Sequence, residues 1–271
     1  MEEDKFVFGT FQVNDASVLE QVIQKCFEYG VRTIDTAPSY KTESLLGSIF
    51  QNLGVNKGNA RKQIRIQTKI DGWQMQASKG NVFKYVKEAL QKMRLDYIDT
   101  VLIHWPFPDY LSETWQCLSD IKAKGVIRKI GLCNVRKRHI IQLVGETSIK
   151  PDVIQIERHP LRNANHDIVF FHEQCINVQA YSPLCRMDAR VKESTLLQQI
   201  ADSHHTSLAQ IIMRWHYQSG VTPVFTTKKA DRIINNTAIF DFSLSQEEMT
   251  IINNMDINYK LFVESICCPG F

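Results

Sequence analysis

Residues 64–70 read Ile-Arg-Ile-Gln-Thr-Lys-Ile, a short stretch in which β-branched residues, three isoleucines and one threonine, alternate with long polar side chains. Successive side chains of a β-strand point to opposite faces, so this spacing predicts a strand. Arg65, Gln67 and Lys69 then share one face, and the isoleucines occupy the other. If the isoleucines pack beneath helices, Lys69 points into the interior of a closed sheet, near its upper rim.

Further runs of β-branched and apolar residues occur on both sides of this stretch, and together they predict eight strands. The predicted strands are Phe6–Phe11, Val31–Ala37, Ile64–Ile70, Ile98–Trp105, Ile127–Cys133, Val153–Ile156, Ile176–Tyr181 and Val221–Phe225. Helix-like stretches with apolar residues three and four apart lie at Val18–Phe27, Val82–Met93, Thr114–Ala123, His139–Val144, Asp167–Gln174, Ser207–His216 and Gln246–Asn253. Alternation of strands with helices predicts parallel pairing, and eight such units predict a (β/α)8 TIM barrel. No linker divides the chain, so we expect one domain over residues 1–271.

Composition excludes several classes of function. The chain has 271 residues, 44% of them hydrophobic, and a net charge of only +3 from scattered lysines and arginines. We therefore expect neither a nucleic-acid nor a membrane partner. The seven cysteines are odd in number and spread out, and Met1–Lys5 is acidic and does not resemble a leader, which together favour a cytoplasmic protein. The histidines lack metal-ligand spacing, so no metal is expected.

The main alternative within α/β proteins is an open sheet that binds a dinucleotide through Gly-x-Gly-x-x-Gly. None of the twelve glycines lies two residues from another, and the phosphate-loop pattern Gly-x-x-x-x-Gly-Lys is also absent. If a nucleotide binds, other residues must hold it.

Four polar residues lie where predicted strands end: Asp35, Tyr40, Lys69 and His104. Catalytic groups of such barrels project from the C-terminal ends of the strands. Taken singly, each has a structural explanation: Asp35 and Lys69 as an ion pair, Tyr40 as a turn aromatic, and His104 as a core residue. Their joint occurrence in this order favours a catalytic site.

The chain resembles the aldo-keto reductase family over nearly its whole length. The segments that carry the resemblance are Gly9–Phe11, Asp35–Tyr40, Thr68–Lys69, Leu95–Asp99, His104–Pro106, Gly131–Asn134, Gln155–Glu157, His159–Pro160, Tyr181–Leu184, and Arg232 with Asn236. The resemblance implies reduction of a small aldehyde or ketone, with sugar-derived carbonyls included, by a nicotinamide cofactor that supplies hydride. Tyr40 would be the general acid, Lys69 would lower its pKa, Asp35 would hold Lys69, and His104 would donate a hydrogen bond to the carbonyl.

The resemblance also implies a set of cofactor-binding residues: Asn134, Gln155, Tyr181, Ser182, Leu184, Thr226, Thr227, Arg232 and Asn236. Thr226 stands where the family usually has a lysine for the 2′-phosphate, whereas Arg232 is kept. Lys228 and Lys229 fit either a solvated helix start or a substitute for that lysine. We therefore expect NADPH as the cofactor, with reduced discrimination against NADH.

A mostly apolar substrate pocket is expected from Phe11, Asp71, Trp73, Trp105 and Phe107. Phe11 stands where many members of the family have tryptophan, and Asp71 occupies a position that is often aromatic. The short loops predict an open mouth. We expect a monomer that acts on a small-molecule carbonyl substrate.

Two other functions remain open at this point. A regulatory subunit that binds the cofactor and senses its redox state would turn over negligibly, and a metal-dependent hydrolase would need ligand clusters that the sequence lacks. Cys267 and Cys268 fit either a redox switch or small apolar fillers.

Overall fold

The computed structural model describes residues 4–263 and 267–268; Met1–Glu3, part of the acidic stretch Met1–Lys5, lie outside them. Eight parallel strands close into a barrel in chain order, with the first strand paired to the eighth. The strands are β1 Val7–Gly9, β2 Thr33–Asp35, β3 Arg65–Ile70, β4 Ile98–Ile103, β5 Ile127–Cys133, β6 Val153–Glu157, β7 Asn177–Tyr181 and β8 Val221–Phe225. The predicted (β/α)8 TIM barrel is confirmed.

Helices connect the strands on the outside of the barrel. They are α1 Ala16–Glu28, α2 Glu43–Asn52, α3 Gly58–Arg61, α4 Gly72–Ser78, α5 Phe83–Met93, α6 Leu111–Ala123, α7 Lys137–Thr147, α8 Asn165–Glu173, α9 Ala189–Lys192, α10 Thr195–Ser203, α11 Leu208–Gln218, α12 Asp231–Thr237 and α13 Gln246–Asn253. Short polar side chains begin several of them. Asp15 accepts a hydrogen bond from the Val18 amide at the start of α1, and Ser207 and Ser245 form capping boxes at α11 and α13.

The main apolar core lies between the barrel and its helices. Ile64, Ile66 and Ile70 are buried in it, on the side of β3 opposite Gln67 and Lys69. The side chains of β3 therefore point to the two faces that the sequence predicted.

At Gly131 a Cβ atom would collide with the carbonyl oxygen of Val153, so only glycine lets β5 approach β6 this closely.

A layer of amide side chains fills the barrel interior beneath Lys69. Gln67 and Gln155 both donate through Nε2 to Asp35 Oδ2, at 2.6 and 3.2 Å. Both also donate to Gln179 Oε1, at 2.9 and 3.0 Å. These four side chains come from β2, β3, β6 and β7, and they supply hydrogen bonds to one another inside the barrel. The Lys69 side chain lies directly above this layer.

None of the helices in residues 4–263 and 267–268 combines the length and the apolar character that crossing a bilayer requires.

Candidate active site

A buried ion pair lies at the top of the barrel interior. Lys69 Nζ is 2.6 Å from Asp35 Oδ1 and also donates to the carbonyl oxygen of Thr36 at 3.0 Å. Both side chains are almost completely buried. Burial acts to lower the pKa of Lys69, but the Asp35 carboxylate, with smaller contributions from Tyr40 and Cys133, outweighs it and the net shift is upward. Lys69 is therefore a fixed positive charge at neutral pH.

Tyr40 lies directly above this pair. It ends a 3-10 turn at Pro38–Tyr40, and Lys69 Nζ is 4.8 Å from the centre of its ring. The ring of His104 meets it edge to face at 5.7 Å. Burial raises the pKa of Tyr40 to about 12, while Lys69 acts in the opposite direction. The sequence led us to expect a net lowering by Lys69, and in the structure desolvation is the larger effect.

His104 is held from behind by a carboxylate. Its Nδ1 atom is 2.6 Å from Asp71 Oδ1, and Asp71 Oδ2 accepts a hydrogen bond from the Ser39 amide at 3.0 Å. Ser39 precedes Tyr40 in the 3-10 turn, so Asp71 joins that turn to His104. Burial acts to raise the pKa of Asp71, but His104 and the hydrogen bonds from Ser39 together outweigh it and the net shift is downward.

Above these groups a cavity of about 760 Å³ opens at the C-terminal ends of the strands. Asp35, Tyr40 and His104 line its floor, and Lys69 lies just beneath them. The four predicted catalytic residues are thus brought together at one end of one cavity. The other predicted residues that line it are Phe11, Trp105, Asn134, Gln155, Tyr181, Ser182, Leu184, Thr226, Thr227 and Arg232.

Polar side chains next to Tyr40 form one wall of the cavity. The Tyr181 hydroxyl donates to Asn134 Oδ1 at 2.6 Å, and Asn134 Nδ2 donates to the carbonyl oxygen of His104 at 2.9 Å. The amide nitrogen of Gln155 donates hydrogen bonds within the interior layer, and its amide oxygen accepts a long contact of 3.9 Å from the Cys133 thiol. A half-buried aromatic ring beside fixed amide groups is a suitable surface for a nicotinamide ring and its carboxamide.

The opposite end of the cavity is positively charged. Lys228, Lys229 and Arg232 line it, after β8 and at the start of α12, and all three are exposed. Thr227 is buried, and its hydroxyl accepts a hydrogen bond from the Lys229 amide at 3.0 Å, which fixes the turn. Asn236 is buried and lies outside the residues that line the cavity. The charges fit a phosphate-bearing ligand whose other end reaches Tyr40.

An unusual turn follows β7 along the side of the cavity. Ser182 has a positive φ of 50°, and Cys185, Arg186 and Met187 are three consecutive residues with φ between 50 and 56°. Left-handed backbone costs an ordinary residue about 1 kcal/mol. Arg186 and Met187 line the cavity together with Ser182 and Leu184, and the sequence carried no signal for them because none of the three left-handed residues is glycine or asparagine.

Only some of the predicted substrate-pocket residues line the cavity. Phe11 and Trp105 line the cavity, and Phe11 packs on Tyr40 with ring centres 5.1 Å apart. Trp73 is 56% exposed and contacts the ring edge of Tyr85, outside the lining. Phe107 packs against Gly72, where a Cβ atom would collide with its ring.

Asp71 also lies outside the lining, behind His104. Its position after Lys69 was visible in the sequence, but its contact with His104 was not, because the two residues follow different strands, β3 and β4.

The described end of the chain closes another side of the cavity. Glu157, at the end of β6, accepts hydrogen bonds from the amides of Leu261 and Phe262 at 2.7 and 3.0 Å. Phe262 thereby lies edge to face with Tyr181, at 5.7 Å between ring centres. Cys267 lines the cavity and Cys268 is buried, and the two alternatives for this pair stay open.

Comparison with known proteins identifies the family. Residues 5–257 match the family model described as the aldo/keto reductase family. The chain is 35% identical to a glyoxal reductase of Bacillus subtilis over 251 residues, which cover 93% of this chain and 88% of the relative. It is 32% identical to the methylglyoxal reductase DkgA of Escherichia coli over 255 residues, which cover 93% of this chain and 90% of the relative. The crystal structure of a Bombyx mori aldo-keto reductase in complex with NADP superposes with a TM-score of 0.87 at 28% identity, covering 97% of this chain and 92% of that one. The chain belongs to the aldo/keto reductase family.

Proposed function

We propose that this protein reduces small aldehydes or ketones to alcohols with NADPH, and that Tyr40 protonates the carbonyl oxygen. The observation that carries the proposal is the position of Tyr40 at the cavity floor. It has the Lys69 ammonium group 4.8 Å from its ring centre on one side and the His104 ring 5.7 Å away on the other. A phenol between a fixed cation and an imidazole is arranged to give a proton to an oxygen that becomes negative.

The roles of the surrounding residues follow from their positions. NADPH, when bound, supplies the hydride. Tyr40 keeps its proton at neutral pH, because burial raises its pKa to about 12. As negative charge develops on the carbonyl oxygen, the proton moves from the Tyr40 hydroxyl to that oxygen, and Lys69 stabilises the phenolate left behind. Asp35 holds Lys69 in place through their contact of 2.6 Å.

Small dicarbonyl compounds are suitable first substrates. The two relatives are named for reduction of glyoxal and methylglyoxal. The cavity in this chain is bordered on the substrate side by Phe11 and Trp105, which leave room for a small, weakly polar carbonyl compound. We include both compounds, a simple aldehyde and an aldose in the panel to be tested.

Replacing Tyr40→Phe removes the proposed acid and leaves the ring in place. We expect reduction of every active substrate to fall by about 10²-fold or more, because general acids contribute that much. Binding of NADPH, followed by quenching of protein fluorescence, should change little. The matched control is Tyr29→Phe, the same change at a tyrosine that is 43% exposed and lies at the end of α1. Undiminished carbonyl reduction in the Tyr40 variant would exclude Tyr40 as the acid. Negligible turnover of the unaltered protein despite tight NADPH binding would favour the alternative function, a regulatory subunit that senses the redox state of the cofactor.

The preference for NADPH rests on the three exposed cations at the far end of the cavity. Lys228, Lys229 and Arg232 are positioned to receive a 2′-phosphate, while Thr226 supplies no charge there. We expect NADPH to bind more tightly than NADH. Arg232→Ala should weaken NADPH by about tenfold and NADH by much less, since a hydrogen bond to a charged group contributes about 1.5 kcal/mol or more. Titration calorimetry with both cofactors measures this, and tighter binding of NADH by the unaltered protein would overturn the preference.

A further inference from the structure

The contact between His104 and Asp71 determines which nitrogen of the imidazole carries a proton. An ionised carboxylate only accepts hydrogen bonds, so the Nδ1 atom that lies 2.6 Å from Asp71 Oδ1 must be the donor. The downward shift in the pKa of Asp71 keeps it ionised at neutral pH. A neutral His104 therefore has its hydrogen on Nδ1, and Nε2 is left as a lone pair.

This arrangement conflicts with the role expected of His104. His104 lines the cavity, and with Nδ1 engaged by Asp71 its Nε2 atom is the one left to meet a substrate. A lone pair on Nε2 repels the lone pairs of a carbonyl oxygen, whereas a protonated imidazole donates a charge-assisted hydrogen bond, which is about twice as strong as a neutral one. The residue thus supports carbonyl reduction in one protonation state only.

We propose that Asp71 is a positioning residue that fixes the tautomer of His104, so that His104 assists carbonyl reduction only as the imidazolium and the reaction is promoted by acid. This inference rests on the proposed function and adds a condition to it. Asp71 stands at a position that is often aromatic in the family, so the condition belongs to this chain.

The groups around His104 determine the pH range in which its imidazole becomes protonated. Burial lowers the pKa of His104, the Asp71 carboxylate raises it, the Lys69 ammonium lowers it, and the more distant Asp35 raises it. Tyr40 also faces the ring, as an uncharged phenol at neutral pH. The net shift is downward from 6.5, so the imidazolium is a minor form at neutral pH and becomes the major form in acid.

Asp71→Asn reverses the tautomer for a structural reason. The Ser39 amide can only donate, and it now points at Asp71 Oδ2 from 3.0 Å. The oxygen of an asparagine must occupy that position, which directs its NH₂ group at His104 Nδ1. Nδ1 then accepts, and the imidazole hydrogen moves to Nε2. The neutral form of His104 can donate to a carbonyl in this variant.

The test compares the pH dependence of kcat/KM for NADPH-dependent reduction between pH 5 and pH 8. In the unaltered protein we expect kcat/KM to rise about tenfold for each pH unit of acidification until the imidazolium predominates, because one added proton is needed. In Asp71→Asn that rise should be absent, and at pH 8 the variant should exceed the unaltered protein about tenfold or more. The matched control is Asp202→Asn on α10, an exposed aspartate that accepts from Gln198, and it should keep the acid-promoted profile.

A second measurement needs neither cofactor nor turnover. The ¹⁵N chemical shifts of the His104 ring distinguish a protonated Nδ1 from a protonated Nε2. We expect a protonated Nδ1 at pH 8 in the unaltered protein and a protonated Nε2 in Asp71→Asn. Protonation at Nε2 in the unaltered protein, or a flat kcat/KM profile in an enzyme that does reduce carbonyls, would overturn the inference and leave the proposed function intact. If no carbonyl is reduced at any pH, the proposed function fails, and the ¹⁵N shifts still decide the tautomer.

Discussion

Asp35 carries a negative charge inside the barrel, and three side chains share in neutralising it. Lys69 contacts Oδ1, while Gln67 and Gln155 donate to Oδ2. A buried charge that loses its partner is costly, because it has neither water nor a counter-charge to replace the lost interaction. Under the proposed mechanism, catalysis and stability therefore depend on the same pair of residues, Asp35 and Lys69.

Lys69→Met tests that connection. Loss of the ammonium group should lower the free energy of unfolding by about 3 kcal/mol, because Asp35 is left buried and charged. Turnover should fall by about 10²-fold or more, since the phenolate of Tyr40 loses its stabilising cation. Urea unfolding and the NADPH-dependent reduction assay measure the two effects.

The double variant Asp35→Asn, Lys69→Met is the control for this prediction. It removes both charges, so it should recover much of the stability and none of the activity. A single variant as stable as the unaltered protein, or a double variant no more stable than the single one, would show that the buried charge does not determine stability here.

At the scale of elements, strand positions were predictable and loop geometry was not. The prediction Ile127–Cys133 matches β5, and Val221–Phe225 matches β8, and each run is followed directly by a polar residue, Asn134 or Thr226. Alternation also assigned Gln67 and Lys69 to the interior. Within a strand, the period of two is sufficient to predict the direction of a side chain.

Beyond the end of a strand that rule no longer applies. Helix α4 begins directly after Asp71, and its packing against Phe107 directs Trp73 away from the cavity. Helix α4 was not predicted, because it is short and rich in polar residues and has little periodicity of its own. Helix α10 was also missed, although its buried residues Leu197, Ile200 and Ala201 have helical spacing. The substrate side of the site depends on such tertiary contacts, and this is where the sequence-based expectations and the structure differ most.

At the scale of the whole molecule, the closure of the barrel joins the two distant parts of the chain. Val7 of β1 pairs with Val224 of β8, so the barrel is complete only when its last strand is present. A protein synthesised from its N-terminus passes through a stage in which β1 and β7 both have unpaired edges. Such edges are templates for pairing between molecules.

Chains of two lengths would reveal this dependence on the last strand. A chain that ends at Gly220 lacks β8, and we expect it to aggregate on dilution from denaturant. A chain that ends at Asn253 keeps all eight strands and helix α13, and it should remain monodisperse in light scattering. If the shorter chain proved equally monodisperse and retained the circular dichroism of the barrel, the open edges would not be the hazard. If the shorter chain does aggregate, protection from aggregation comes only with the final strand. A ribosome that stalls before β8 would then release a chain with two unpaired strand edges that can pair with other molecules.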